Sequence, residues 1–204
     1  MKKSVFIFFL VCYLPFLNAQ DDRSSASHNI NISIPEIALL DIYNGQTAGN
    51  VDVVNLNVSN DNNSEAGQYK LSNVSYGDLW LNYTSVVGDE AYGHKPSREI
   101  TVQLEPESTF PAGLDLRITA EAPKVVAGGG NESSQGTVVA GGVALGSSTE
   151  AGVQVSLVKD IKSVYTGDGA NGVRLTYTLE QKDNFSLVQA GNYQAVIRFM
   201  LTDL

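Results

Sequence analysis

An all-β fold, an antiparallel β-sandwich, is predicted by three observations on this 204-residue chain. Short segments alternate apolar and polar residues with a period of two, the signature of strands with one buried face. Gly, Asn, Asp and Pro punctuate them at short intervals, as turns between strands require. No stretch of about ten residues shows a helical period, and Val, Ile, Thr and Tyr dominate the periodic segments. The longest alternation is the last, Gly191 to Thr202. There Tyr193, Ala195, Ile197, Phe199 and Leu201 share one face, and Gln194, Val196, Arg198, Met200 and Thr202 share the other. This strand is expected to close the sheet.

The chain opens with Lys2-Lys3 and an almost wholly apolar run from Ser4 to Leu17, followed by Leu17-Asn18-Ala19 before Gln20. A basic start, an apolar centre and a small residue at the cut site predict a secretory signal peptide over residues 1–19. The run is shorter than the ~20 residues needed to span a bilayer, so no transmembrane anchor is expected in the mature chain. Residues 20–27 read as a flexible leader and 28–204 as a single sandwich domain. Cys12 is the only cysteine and leaves with the signal, which excludes a disulfide, a thiolate metal site or a cysteine nucleophile from the mature chain. Loss of Lys2 and Lys3 leaves eleven basic against 22 acidic side chains, a net charge of −11. That balance opposes nucleic acid or an anionic membrane as partner.

In chain order, His28 to Ile34 alternates with Ile30, Ile32 and Ile34 on one face, and Pro35 ends it. Ile37 to Tyr43 follows and meets a turn at Asn44-Gly45. Val51 to Ser59 is the next strand candidate, then a polar loop from Asn60 to Gly67. Tyr69 to Val74 and Asp78 to Thr84 follow, the latter carrying Trp80, the single tryptophan. Ile100–Leu104 and Leu114–Ala120 alternate and stop before Pro106 and Pro123. Thr137–Ala140 and Val143–Leu145 are short strand candidates within a Gly-rich region. Val153–Leu157, Val173–Leu179 and Phe185–Leu187 lead to the terminal strand.

Catalytic constellations are poorly represented. His28 and His94 sit in no motif, Gly-x-Ser-x-Gly is absent, and no histidine cluster suggests zinc. The pairs Glu105/Glu107 and Asp89/Glu90 have the residue types of a glycoside hydrolase but read as solvated acidic loops. Asn60 to Glu65 and Gly167 to Gly172 are oxygen-rich, yet they lack the EF-hand pattern and turn chemistry explains them. No catalytic residue, metal or cofactor is therefore expected, and the chain is not expected to be an enzyme. Trp80 reads as an anchor between two sheets, with a sugar-stacking platform of Trp80, Tyr76 and Tyr83 as the alternative. Asn57, Asn73 and Asn82 begin Asn-x-Ser/Thr triplets, which matter only in a eukaryotic secretory route.

Four phrases, Ile34 to Ile42, Trp80 to Ser85, Pro111 to Ala120 and Tyr165 to Leu179, resemble a group of uncharacterised exported β-sandwich proteins of Bacteroidota. That group brings no assigned activity. The Gly191–Thr202 segment is similar, more distantly, to the closing strand of chaperone–usher pilins and spore coat protein U-like subunits, which place Gly-x-Tyr/Phe before a final alternating strand. The second resemblance implies an immunoglobulin-like or pilin-like sandwich. It also implies a subunit that receives a strand from a neighbour, with a periplasmic chaperone and other surface subunits as partners. Ile30, Ile32, Ile34, Tyr193, Ile197 and Phe199 would then be the assembly residues, and His28 to Ile34 the donated strand. The plain alternative makes that segment the first strand of a complete sandwich. The expected function is thus an exported, non-enzymatic structural or adhesive protein, secreted or at the cell surface. A monomeric secreted carbohydrate-binding module, with carbohydrate as partner through Trp80, Tyr76 or Tyr83, is the alternative.

Overall fold

The computed structural model describes Ser25 and residues 27–47, 49–50, 53–58, 66–67, 71 and 74–204. The signal segment, most of the leader and loop 60–67, and much of the Tyr69–Val74 candidate lie outside the described residues, as does Asn73. The chain divides into two units, Met1–Ile34 and Pro35–Leu204. In the first, Ile30, Ile32 and Ile34 are 72, 81 and 76 % exposed and His28 to Ile34 forms no strand, although its alternation predicts one. An alternating segment becomes a strand only through a ladder partner, and this one has none among the described residues.

All described strands belong to the second unit and pair antiparallel. They are β1 (Ile37–Asn44), β2 (Gly49–Asn50), β3 (Ser75–Val86), β4 (Arg98–Leu104), β5 (Leu114–Glu121), β6 (Thr137–Val138), β7 (Val143–Gly146), β8 (Val155–Ile161), β9 (Val164–Tyr165), β10 (Val173–Gln181) and β11 (Ile197–Asp203). One sheet runs β2-β1-β3-β10-β5-β7, with β9 also on β3; the other runs β11-β4-β8-β6. Among the described residues the only helical elements are 3₁₀ turns at Glu90–Tyr92, Gly169–Asn171 and Phe185–Leu187. The chain is an all-β antiparallel sandwich.

The inner faces follow from the alternation. Leu79 and Leu81 of β3, Ile118 of β5, Leu145 of β7 and Val173 and Leu175 of β10 meet Ile100 and Val102 of β4 and Leu157, Val158 and Ile161 of β8 in one buried cluster. Burial of each such side chain contributes roughly 1.5–3 kcal/mol. Strand β8 runs four residues past its predicted end at Leu157. Irregular register against β4, between the Arg98 and Ile100 pairs and again before Thr101, lets Leu157 and Val158 both turn inward. Asp160 takes φ 58 beside these bulges, so the alternation breaks where the ladder does. Phe185–Leu187, a strand candidate by sequence, is a 3₁₀ turn because the Asn184 side chain accepts from the Ser186 N–H at 3.0 Å and caps it.

Arg98 fastens the two sheets at one end. Its side chain is 6 % exposed. Nε donates to Asp203 Oδ1 at 2.8 Å, at the end of β11. Nη1 donates to the Val86 carbonyl at 3.0 Å and to the Ile37 carbonyl, tying the end of β3 and the start of β1 to β4. Glu36 stands 3.9 Å from Nη2 and 2.9 Å from His94 Nδ1. A planar guanidinium can serve three strands at once because its donors fan out in a fixed fork.

Candidate functional site: a groove beside the terminal strand

Strand β11 is the edge of its sheet, hydrogen-bonded to β4 alone among the described strands. Pairing with β4 runs without interruption from Ile197↔Leu104 to Asp203↔Arg98. Ile197, Phe199 and Leu201 point to the core, as the alternation predicts, but each is only half-buried; Ile100, Val102 and Leu104 on β4 are fully buried. The difference is the open side of β11. There the sheets part, and a groove of about 1070 Å³ reaches inner-face residues Leu79, Leu114, Leu116, Tyr177 and Leu179 of the first sheet, with Ile42 of β1 and Ile197 and Phe199 of β11 on its walls. Arg98 closes the sandwich at the Asp203 end, so the gap lies toward Ile197.

Two further stretches line the groove, residues 53–58 and residues 188–195. Residues 53–58 and 191–195 belong to the strands expected over Val51–Ser59 and Gly191–Thr202, and neither stretch is a strand in the described structure. The terminal strand is therefore Ile197–Asp203 and not Gly191–Thr202. Ahead of it the backbone stays extended against the 105–109 loop. Glu105 N donates to the Val196 carbonyl at 2.8 Å and Thr109 N to the Gln194 carbonyl at 2.8 Å. Side-chain hydroxyls satisfy the return bonds: Val196 N donates to Ser108 Oγ at 3.0 Å and Gln194 N to Thr109 Oγ1 at 2.9 Å. Hydroxyls stand in for a strand here, which holds the segment in place without a regular ladder. Tyr193 is 42 % exposed and its hydroxyl donates to the Gln189 carbonyl at 2.9 Å.

The aromatic candidates are not brought together. Leu79, Leu81 and Tyr83 alternate inward on β3, so Trp80 lies on the outer face and is not an anchor between the sheets. Its ring centroid is 6.1 Å from that of Tyr43, its partner across β1, and the planes are tilted by 52°. Gly45 in the β1–β2 turn packs on the same ring: a Cβ there would come 2.5 Å from Trp80 Cζ3 and 2.9 Å from Cη2. The indole is already covered by its own hairpin. Tyr83 is buried, its hydroxyl donates to the Gln135 carbonyl, and burial raises its pKa above the usual 10.0. Burial does the same at Tyr177. Tyr76 half-faces the core and donates to Asn44 Oδ1 at 3.1 Å. Tyr43 carries no motif of its own in the sequence; its pairing with Trp80 follows from the β1–β3 register.

The remaining candidates are dispersed. His94 pairs with Glu36, and Glu105 is held by Arg198 Nε at 2.6 Å and Gln103 Nε2 at 2.8 Å. Both are structural ion pairs or hydrogen bonds within the fold. In the 167–172 loop, Asn171 Nδ2 donates to the Asp168 carbonyl at 2.9 Å and Asn82 Nδ2 to the Gly169 carbonyl at 3.1 Å, so the amides serve the turn. Asn82 is buried within β3, where no glycan could be attached to the folded chain. Among the described residues no group of three or more His, Cys, Asp and Glu could hold a metal ion, and no helix is long and apolar enough to cross a membrane.

Fold and groove define the class as an antiparallel β-sandwich with an edge strand, unpaired on one side among the described strands, beside an open cleft. No protein-family profile matches the chain, and no curated protein or solved structure shows significant similarity to it.

Proposed function

We propose that this chain is an exported, non-enzymatic surface subunit that assembles by β-strand addition, its groove receiving the His28–Ile34 segment of a second copy. The observation that carries the reading is the half-buried inner face of edge strand β11 opening into a groove of about 1070 Å³. An unpaired edge whose inner-face residues Ile197 and Phe199 are only half-buried is a liability that natural sandwiches ordinarily cover or charge. Added strands satisfy both defects: the backbone ladder fills the free edge, and alternate side chains fill the cleft. His28 to Ile34 fits in length, since seven extended residues span roughly 23 Å and β11 is 7 residues long. It fits in chemistry too, with three exposed isoleucines on one face. Covering each contributes roughly 2 kcal/mol. The acidic surface, −11 after loss of the signal, suits an exposed exported protein and gives no support to nucleic acid as partner.

The test compares the chain from Gln20 onward with the same chain carrying Ile30→Asn, Ile32→Asn and Ile34→Asn. Light scattering on a sizing column should show oligomers for the first and a folded monomer for the second. A wild-type chain that stays monomeric at all concentrations would end the assembly reading.

A further inference from the structure

Residues Val53 to Val58 line the groove, with Ile197 and Phe199 of the edge strand among the other lining residues. Val54 and Leu56 are half-buried and pack against the core, whereas Val53, Asn55, Asn57 and Val58 are exposed, Val53 by 70 % and Val58 by 39 %. That is the period of an extended strand with one face turned inward. The segment nevertheless belongs to no ladder. Its side chains form part of the cleft wall, and its backbone does not pair with the β11 edge. Side-chain contacts without a hydrogen-bonded ladder make a weak hold, because a strand is stabilised by both together.

Resting on the strand-addition reading above, we infer that Val53–Val58 is an internal cap: it covers core residues beside the groove of the unassembled subunit and is displaced when a strand from a second copy enters. Val54 and Leu56 shield the inner-face leucines from water in the free chain. The incoming segment carries Ile30, Ile32 and Ile34 in the same alternate spacing and adds the backbone ladder that the cap lacks. A resident segment of this kind makes strand uptake a competition, so the free subunit stays soluble until a donor arrives. Binding then carries the cost of releasing the cap, which lowers the apparent affinity by the fraction of chains in which the cap is closed.

The test uses the chain from Gln20 with Ile30→Asn, Ile32→Asn and Ile34→Asn, so that it supplies no strand of its own, and a synthetic peptide of residues 27–35 as donor. In this cysteine-free background Leu56→Cys places a single thiol in the cap. Displacement predicts that saturating peptide speeds reaction of the thiol with a disulfide reagent at least fivefold. It also predicts that Val54→Asn with Leu56→Asn tightens peptide binding at least fivefold. Peptide binding with an unchanged or slower thiol reaction would overturn the cap and make the segment a wall of the acceptor, leaving strand addition intact. Absence of peptide binding to either protein would instead sink the groove reading, and the cap with it.

Discussion

Phe199 separates the stability of the sandwich from the affinity of its groove. The ring sits on the inner face of β11, packs against the core and is half-buried, its other half facing the cleft. Truncation of a fully buried Phe to Ala costs about 3–5 kcal/mol, so the half-buried ring should cost about 2 kcal/mol in the free chain. A Phe buries about 150–250 Å² when covered, which leaves roughly 100 Å² for an entering strand to cover, worth about 2.5 kcal/mol at 25 cal/mol per Å². Alanine recovers part of that contact, so Phe199→Ala should weaken strand uptake by about 1.5–2 kcal/mol, a ten- to thirtyfold loss. Urea unfolding of the chain that carries the three Ile→Asn changes gives the first number, and titration with the 27–35 peptide gives the second. Met200→Ala, one residue along on the opposite face, should leave peptide affinity within about twofold. If Phe199→Ala lowers stability as expected and binds peptide like its parent, strand uptake does not occur in this groove.

Gly172→Ala should destabilise the fold by about 2–4 kcal/mol in urea titration, because its Cβ would overlap the Leu81 carbonyl oxygen and come 2.6 Å from the carbonyl carbon and 2.5 Å from Asn82 Oδ1, forcing β10 from β3. Gly141→Ala, at φ 76 with open space around it, should cost only about 1–2 kcal/mol from backbone strain. Tyr83 and Tyr177, whose phenols burial holds above 10.0, stay neutral in the fold while the unfolded chain ionises, so stability is complete below pH 10 and falls as pH rises past it. One unit above that point each tyrosine removes about 1.4 kcal/mol; the double change to Phe should flatten this alkaline limb, and an equally steep limb in the variant would refute the assignment.

Segments whose ladder partners lie on both sides were legible from sequence. Ile100–Leu104, Leu114–Ala120 and Val173–Leu179 each fall within β4, β5 and β10, because a strand buried on one face must keep its period. What could not be read depends on pairing between distant residues. The end of β8 was hidden because Lys159-Asp160 breaks the alternation at a bulge. The side taken by Trp80 is legible in the sequence, since Leu79, Leu81 and Tyr83 oppose it in the alternation. The groove itself is a property of sheet order: nothing local to β11 says that only β4 will pair with it.

Two strand-like stretches without a ladder flank one groove, and this coincidence bears on function more than either does alone. Sequences of folded proteins are locally consistent with their structure, and conflicts concentrate where function requires them. At Gln194 and Val196 the conflict is resolved on one side by the hydroxyls of Thr109 and Ser108, which keep the backbone extended in line with β11. At Val54 and Leu56 it is resolved by side-chain contact with the core. Each device holds its segment beside the groove without a regular ladder. A sandwich complete in itself would gain stability by closing these ladders internally. Keeping both extended beside the same groove supports the proposed strand uptake, because an entering segment that meets an extended template loses less conformational entropy on docking.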